Sequence, residues 1–269
     1  MLDIAIQIVN YNTKKYLIDC VNDVINDLKN CGISYRILVL DNDSQDDLSD
    51  LREKYKETVN FYKSEKNLGF GAGHNFLARK LDTDFLLILN PDLKFVGKDT
   101  VARMLDFFQK NEDKKIAVAG PLLFNDEGNQ RWDHGDFKGL IPGFFTRLGL
   151  NYWRNTDKIT EVAWVSGAFF LVRRNAFVAV EGFDENFFLY GEEVDFCLRL
   201  RKLGYKTIYN PNIKVFHYVS VVASKNKYLD DSDLYFLEKH LKKEFPTVYL
   251  FVSSLIKIRK KLGFNIFYK

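Results

Sequence analysis

Cysteine is scarce in this 269-residue chain, and the three present, Cys20, Cys31 and Cys197, have neither metal-type nor redox-type spacing. Such a set fits reduced, structural thiols in a reducing compartment, which points to the cytoplasm. A charge excess is missing too. The formal net charge is +3, and no interleaved basic and aromatic stretch of the strand-binding kind is present, which argues against a nucleic-acid partner. No apolar run approaches the roughly 20 residues that cross a bilayer. The strand-like IAIQIVN begins almost at once and leaves no room for a charged region, an apolar region and a cleavage site, so export by such a leader is not expected. Internal repeats and low-complexity tracts are absent as well.

What remains is a globular composition, 46% hydrophobic and 28% charged, which rules out a disordered chain; 24 Phe and 14 Tyr make it unusually aromatic. The length suits one elaborate α/β domain with an appendage. Apolar or β-branched runs at Ile4 to Val9, Tyr35 to Leu40, Val59 to Tyr62 and Phe85 to Leu89 alternate with helix-compatible stretches. Because these runs are continuous rather than alternating, they read as strands buried on both faces of a mostly parallel central sheet flanked by helices. Ligands bind such sheets at the carboxyl ends of the strands. The places to inspect are therefore Asn10 to Asn12, Asp41 to Ser44, Asn67 to Asn75 and Asn90 to Asp92. Past Gly120 the periodicity weakens, and Gly128, Gly135, Gly139, Pro142 and Gly143 suggest a mobile or acceptor-facing segment. VAWVSGAFFLVRR then reads as one strand-like run from Val162 to Arg174.

Each polar motif has a bland reading beside a chemical one. In DND (Asp41 to Asp43) and NPD (Asn90 to Asp92), a carboxylate beyond a buried strand can hold a nucleotide or a hard cation such as Mg²⁺ or Mn²⁺; equally, Asx residues make turns there. For Asp92 the turn reading is weaker, because Pro91 fixes the approach of the carboxylate directly behind FLLILN. The loop NLGFGAGHN lets backbone approach a ligand at Gly69, Gly71 and Gly73, yet His74 spoils a dinucleotide fingerprint and no GK[ST] follows to make a phosphate loop. GEEVDFCLRLRKLG starts a helix at Gly191. Glu192 and Asp195 can share a face, with Glu193 about 100° around from Glu192. Acids there also suit the helix dipole, but that leaves unexplained the aromatic GFDENFFLY before them, which could shield an acid and raise its proton affinity. His217, after KVF, reads by itself as structural.

The order of motifs is more specific than any one of them. IVNYNTKKYLIDCVNDV, VLDNDSQDD, NLGFGAGHN, LLILNPD, WVSGAFFLVRR, GFDENFFLYGEEVDFCLRLRKLGY and VFH resemble the glycosyltransferase family 2 enzymes, particularly the bacterial rhamnosyltransferase-like group, over residues 4 to 224. The resemblance implies a GT-A type, nucleotide-diphospho-sugar-binding α/β fold and inversion at the anomeric carbon. It implies transfer of rhamnose from dTDP-rhamnose to a hydroxyl of a saccharide or lipid-linked acceptor in cell-surface polysaccharide synthesis, with Mg²⁺ or Mn²⁺. In residues, Asn10, Asn12 and Asn90 lie at the donor end of the strands, Asp41 meets the base, and Asn67 with Gly69 lines the nucleotide. Asp92 and His217 become metal ligands. Glu193 takes the place of the general base where the family most often has Asp, while Glu192 and Asp195 stay open for that role. The NPD form carries Asn90 where a second carboxylate would strengthen metal binding.

This divides the chain into a nucleotide-binding half (1–120), an acceptor half (121–224) and a C-terminal helical extension (225–269). In that extension an apolar run, Val248 to Ile256, is followed by Lys257, Arg259, Lys260 and Lys261. It can lie on an anionic membrane surface, peripheral to the inner face of the cell membrane, or pack on the domain as a terminal helix with a solvated basic end. Two other classes share parts of the pattern. A nucleotidyltransferase would share the nucleotide-binding half, and a non-catalytic carbohydrate-binding protein would use the abundant aromatics.

Overall fold

The apolar runs near the N-terminus form parallel strands with both faces covered. The computed structural model describes residues 2–111, 115–129, 133–135, 156–218 and 225–262. In it β1 (Leu2–Asn10), β2 (Tyr35–Asp41), β3 (Val59–Lys63) and β4 (Thr83–Leu89) lie side by side in the order β3-β2-β1-β4, all parallel. The crossovers are α1 (Lys14–Leu28), α2 (Ser49–Lys54) and α3 (Phe70–Ala78). Successive strand residues point to opposite faces. Ile4, Ile6 and Ile8 accordingly pack with Leu17, Val21 and Val24 of α1, while Ala5, Leu38 and Leu40 pack with Leu77 of α3. Two apolar layers explain why the strand sequences do not alternate.

Downstream come β5 (Leu93–Phe95), α4 (Thr100–Gln109), β6 (Ile116–Asn125), β7 (Gly128–Asn129), β8 (His134–Gly135), β9 (Thr160–Val162), β10 (Trp164–Val165), β11 (Phe169–Arg173), α5 (Arg174–Ala179), α6 (Glu192–Lys202) and β12 (Lys206–His217). Beyond β4 the sheet continues β11-β6-β12-β5 and becomes mixed: β11 is antiparallel to β4 and β6, β12 is parallel to β6, and β5 is antiparallel to β12. The mostly parallel sheet read from the sequence is borne out, with antiparallel pairs entering beyond β4 beside the parallel β6–β12 pair.

The run from Val162 to Arg174 is not one strand. It splits into β9, β10 and β11 because its parts pair in different places: β9 with β12, β10 with β8 in a separate two-stranded sheet, and β11 with β4. The break falls at Ser166 and Gly167, where the Phe70 ring occupies the space a Cβ would need. The C-terminal helices are α7 (Lys225–His240) and α8 (Pro246–Leu262), joined by an apolar cluster of Leu237, Leu241, Val252 and Ile256. Gly139, Pro142 and Gly143, and with them most of the expected acceptor-facing segment, lie outside the described residues.

Candidate active site

Three strand ends converge on one polar corner. Asn10, fully buried at the end of β1, is the register partner of Asp41 at the end of β2. Its Oδ1 accepts from Thr13 Oγ1 at 2.7 Å, and its Nδ2 donates to Asp46 at 3.3 Å. Asn12 sits in the left-handed region at φ 56° and accepts from Gln45 N at 2.8 Å, while its own N–H donates to Ser44 Oγ at 2.9 Å. Asp41 accepts from Ser44 N at 3.1 Å and has Lys63 Nζ 3.9 Å from its other oxygen. The glycine loop joins this corner through Asn42. Its Nδ2 donates to Asn67 Oδ1 (3.0 Å) and Gly69 O (3.3 Å), and its Oδ1 accepts from Leu68 N (2.9 Å) and Ser64 Oγ (3.2 Å). Both donors and both lone pairs of the amide are therefore used.

Gly69 must be glycine. It adopts φ 84°, and a Cβ there would run into the Phe188 carbonyl oxygen. That same oxygen accepts from Phe70 N at 3.0 Å. A second tie lies further along the same helix, α3: Asn75 donates to Phe183 O and accepts from Phe183 N, both at 2.9 Å, imitating a strand neighbour. The glycine loop and the segment leading into α6 are in this way fastened to each other.

Asp92 and His217, 125 positions apart by number, are brought together by the β5–β12 ladder, which pairs Leu93 with His217. Tyr218 N donates to Asp92 O at 3.1 Å, and His217 Nε2 lies 3.3 Å from Asp92 Oδ1. Adjacent ligands about 2.1 Å from one octahedral cation sit roughly 3 Å apart, so these two donors fit neighbouring positions on a shared ion. A carboxylate and an imidazole suit Mn²⁺ or a similar divalent ion. Among the described residues no group of three or more His, Cys, Asp or Glu suited to a metal is present. Asn90 is held by its backbone: its N–H donates to Ala168 O at 2.8 Å and its carbonyl faces Cys20 Sγ.

The acid segment turns sharply into α6 through two left-handed residues, Tyr190 (φ 75°) and Gly191 (φ 90°). Glycine accepts this freely; tyrosine carries strain. The first turn then holds Glu192, Glu193 and Asp195, and the last turn Arg199, Arg201 and Lys202, each set complementing the helix dipole. The three acids have different surroundings. Glu192 is 3% exposed, packs near Gly71, and its Oε2 has no hydrogen-bond partner among the described residues. Burial first, and the neighbouring Glu193 charge second, push its proton affinity well above the ordinary carboxylate range. Both effects favour the protonated form of this carboxyl group. Asp195 is the opposite case. It is fully buried, and although burial alone would raise its pKa, His240, Lys239 and Arg199 hold it below the usual value. Glu193 is only half-buried on the same turn.

The model of the Glycosyl transferase family 2 matches residues 5–180, well over half of the chain. The chain belongs to glycosyl transferase family 2. The Escherichia coli (strain K12) rhamnosyltransferase WbbL is 30% identical over 214 residues, 74% of this chain and 79% of that protein. The N-acetylglucosaminyl-diphospho-decaprenol L-rhamnosyltransferase of Mycobacterium tuberculosis is 27% identical over 205 residues, 68% of this chain and 66% of its own length. Among solved structures, that of GalNAc-T7 with UDP, GalNAc and Mn²⁺ superposes with a TM-score of 0.61 at 18% identity; the match covers 98% of this chain and 55% of that one. The fold is accordingly that of the GT-A glycosyltransferases, and the protein is a glycosyltransferase of family 2.

Within this family 2 glycosyltransferase, Asp195 differs from the other two acids in its partners: Oδ2 accepts from Arg199, and Oδ1 faces Lys239 and His240. Three acids in one helical turn are legible in the sequence; that α7, some forty residues later, meets one of them is not. Asn42 and Asn75 were passed over, although their signal was available in DND and at the end of NLGFGAGHN.

The raised proton affinity of Glu192 has a stability consequence. Its folded pKa is raised, so between the unfolded value and the folded one the native state binds the extra proton, and stability falls as pH rises through that window. Glu192→Gln, which mimics the protonated acid, is expected to raise Tm relative to the natural protein at pH 7 to 8. The gain should shrink toward zero near pH 4.5, where the unfolded acid also begins to hold its proton. Melting curves across that range check it; a pH-independent difference would mean that the Glu192 proton is not the cause.

Proposed function

We propose that this protein is an inverting glycosyltransferase that moves rhamnose from dTDP-rhamnose to a hydroxyl of a saccharide carried on a lipid, in the synthesis of cell-surface polysaccharide. The observation that carries the chemistry is the split between Glu192, buried with its proton affinity raised, and Glu193, half-buried beside it on the turn that opens α6. Two neighbouring acids in different surroundings can take different roles, and the less buried one is the acid an acceptor can reach. Support for the sugar and for the lipid comes from the rhamnosyltransferase and diphospho-decaprenol relatives.

Glu193 takes the proton from the acceptor hydroxyl, whose oxygen attacks the anomeric carbon from the face opposite the leaving nucleoside diphosphate. A single displacement of this kind inverts the centre. Asp41, Asn67 and Gly69, with Asn10, Asn12 and Asn90 around them, form the bed for the nucleotide sugar at the ends of the strands. Asp92 and His217 are the residues that would hold Mg²⁺ or Mn²⁺ against the diphosphate; bound there, the ion supplies neutralisation of the charge growing on the leaving group.

The reading is tested by thermal shift across dTDP-rhamnose, UDP-sugars and GDP-sugars, with and without Mg²⁺ or Mn²⁺. A ligand present at about 100 times its Kd should add roughly 2.7 kcal/mol of stability. The largest shift is expected from dTDP-rhamnose with cation. A preference for a UDP- or GDP-sugar would move the donor assignment, and no shift with any nucleotide sugar would sink it.

The protein acts, on this reading, in the cytoplasm and at the inner face of the cell membrane. Among the described residues no helix is long and apolar enough to cross a bilayer. Helix α8 is instead two-faced: Val252, Ser253 and Ile256 are buried toward α7, while Leu250, Phe251 and Ile258 are more than half exposed, with Lys257 and Lys261 exposed beside them. Arg259 and Lys260 pair with Asp230 and Asp231 of α7. An apolar stripe edged with lysine suits an anionic lipid surface. The full chain should sediment with phosphatidylglycerol vesicles more than with phosphatidylcholine vesicles, and Leu250→Glu with Phe251→Glu should remove the difference. Equal sedimentation by both forms would rule this surface out.

A further inference from the structure

Helix α7 grips the acid segment along most of its length. Ser232 Oγ donates to Leu189 O at 2.8 Å, and Tyr235 OH donates to Asp184 Oδ2 at 2.8 Å. The Phe188 and Tyr228 rings meet at 4.6 Å, and the Phe187 and Tyr235 rings edge to face at 4.8 Å. At the far end Lys239 Nζ lies 2.6 Å from Asp184 Oδ2 and 2.6 Å from Asp195 Oδ1, while His240 Nε2 lies 2.8 Å from Asp195 Oδ1. Arg199 completes the cluster: it donates to Asp195 Oδ2 at 2.8 Å, to Gly182 O at 2.8 Å and to Val180 O.

The two carboxylates that Lys239 joins mark the ends of one short stretch. Asp184 precedes the turn and Asp195 follows it; between them lie the left-handed residues Tyr190 and Gly191, then Glu192 and Glu193. A strained turn persists only where its surroundings over-determine it. Lys239 closes this stretch into a loop by tying its two ends to a single ammonium. The Lys239 side chain is three-quarters buried and that of Asp195 wholly so, which leaves little room for solvent to weaken the bridge. A cation merely stabilising the fold could have paired with either acid alone.

We propose that Lys239 is a positioning residue for sugar transfer: by bridging Asp184 and Asp195 it fixes the turn that aims Glu193 at the acceptor. The inference rests on the reading of Glu193 as the base. Lys239→Met removes the bridge without leaving a buried charge of its own. Two measurements separate the possibilities: release of dTDP from dTDP-rhamnose, and amide hydrogen exchange over residues 184–193, which needs no substrate. Lys239→Met is expected to speed exchange in that stretch and to lower kcat by about 10- to 100-fold, the scale of a misplaced catalytic group, while the donor KM stays within about twofold. Lys239→Arg, which keeps the charge and can still reach two carboxylates, should recover most of kcat. Asp184→Asn, which releases only one end, should reproduce the exchange effect and serves in place of Lys239→Met if that variant does not fold. Unchanged exchange overturns the proposal whatever the substrate proves to be. So does a lower Tm with kcat intact, which would make the cluster purely structural. Full turnover by Glu193→Gln, with exchange still governed by Lys239, would instead overturn the base assignment and leave the mechanical bridge in place.

Discussion

Glu193→Gln is expected to fold, to bind nucleotide sugar as the natural protein does, and to lose about 10²- to 10⁴-fold in kcat, the range a positioned general base contributes. The substitution keeps the size of the side chain and its place on the half-buried first turn of α6, so packing has little reason to change. What it removes is the capacity to take a proton. It also removes the charge that helps to raise the proton affinity of Glu192, so the Glu192 proton should be held less tightly in the variant. Glu192 does not replace its neighbour: an acid buried to 3% exposure beside the glycine loop cannot swing to a bulk acceptor without leaving its packing. The check is turnover at saturating donor, with thermal shift by the same donor as the control. Undiminished kcat would remove Glu193 from the role of base.

Asp92→Asn is expected to cut turnover by a comparable amount, roughly 10²- to 10³-fold, which is what one lost electrostatic stabiliser of a developing charge typically costs. The reason differs from that at Glu193. Asp92 is the only carboxylate of the NPD motif, because Asn90 stands at the other position, so there is no second acid in that motif to retain the ion. The variant should also lose the part of the donor's thermal shift that depends on Mg²⁺ or Mn²⁺, whereas Glu193→Gln should keep it. Cation-dependent stabilisation that survives Asp92→Asn would separate this residue from the metal.

The distribution of what was legible follows from the range of the interactions. The N-terminal strands could be read because burial on both faces imposes a local signature, continuous apolar runs, that needs no partner to be recognised. The later strands could not, since Val162 to Arg174 is uniformly strand-like while its three parts pair with β12, β8 and β4, and pairing across such distances leaves no mark in a short window. The site divides the same way. Asp92 and His217 were named from their motifs, yet what joins them is the β5–β12 register. The ties of Asp195 to Lys239 and His240, on a helix some forty residues later, lie beyond the reach of any helix-face argument.

The contact between Gly69 and the Phe188 carbonyl bears on how this enzyme can be re-engineered. A chimera built to accept a new donor would naturally exchange the first part of the chain and keep the rest. Here the seam would cut through a fitted joint: Phe70 and Asn75 belong to one side, and Phe183 and Phe188 to the other. A transplanted glycine loop would therefore have to carry its matching 182–188 stretch with it, so the smallest portable unit that contains this loop is discontinuous in sequence.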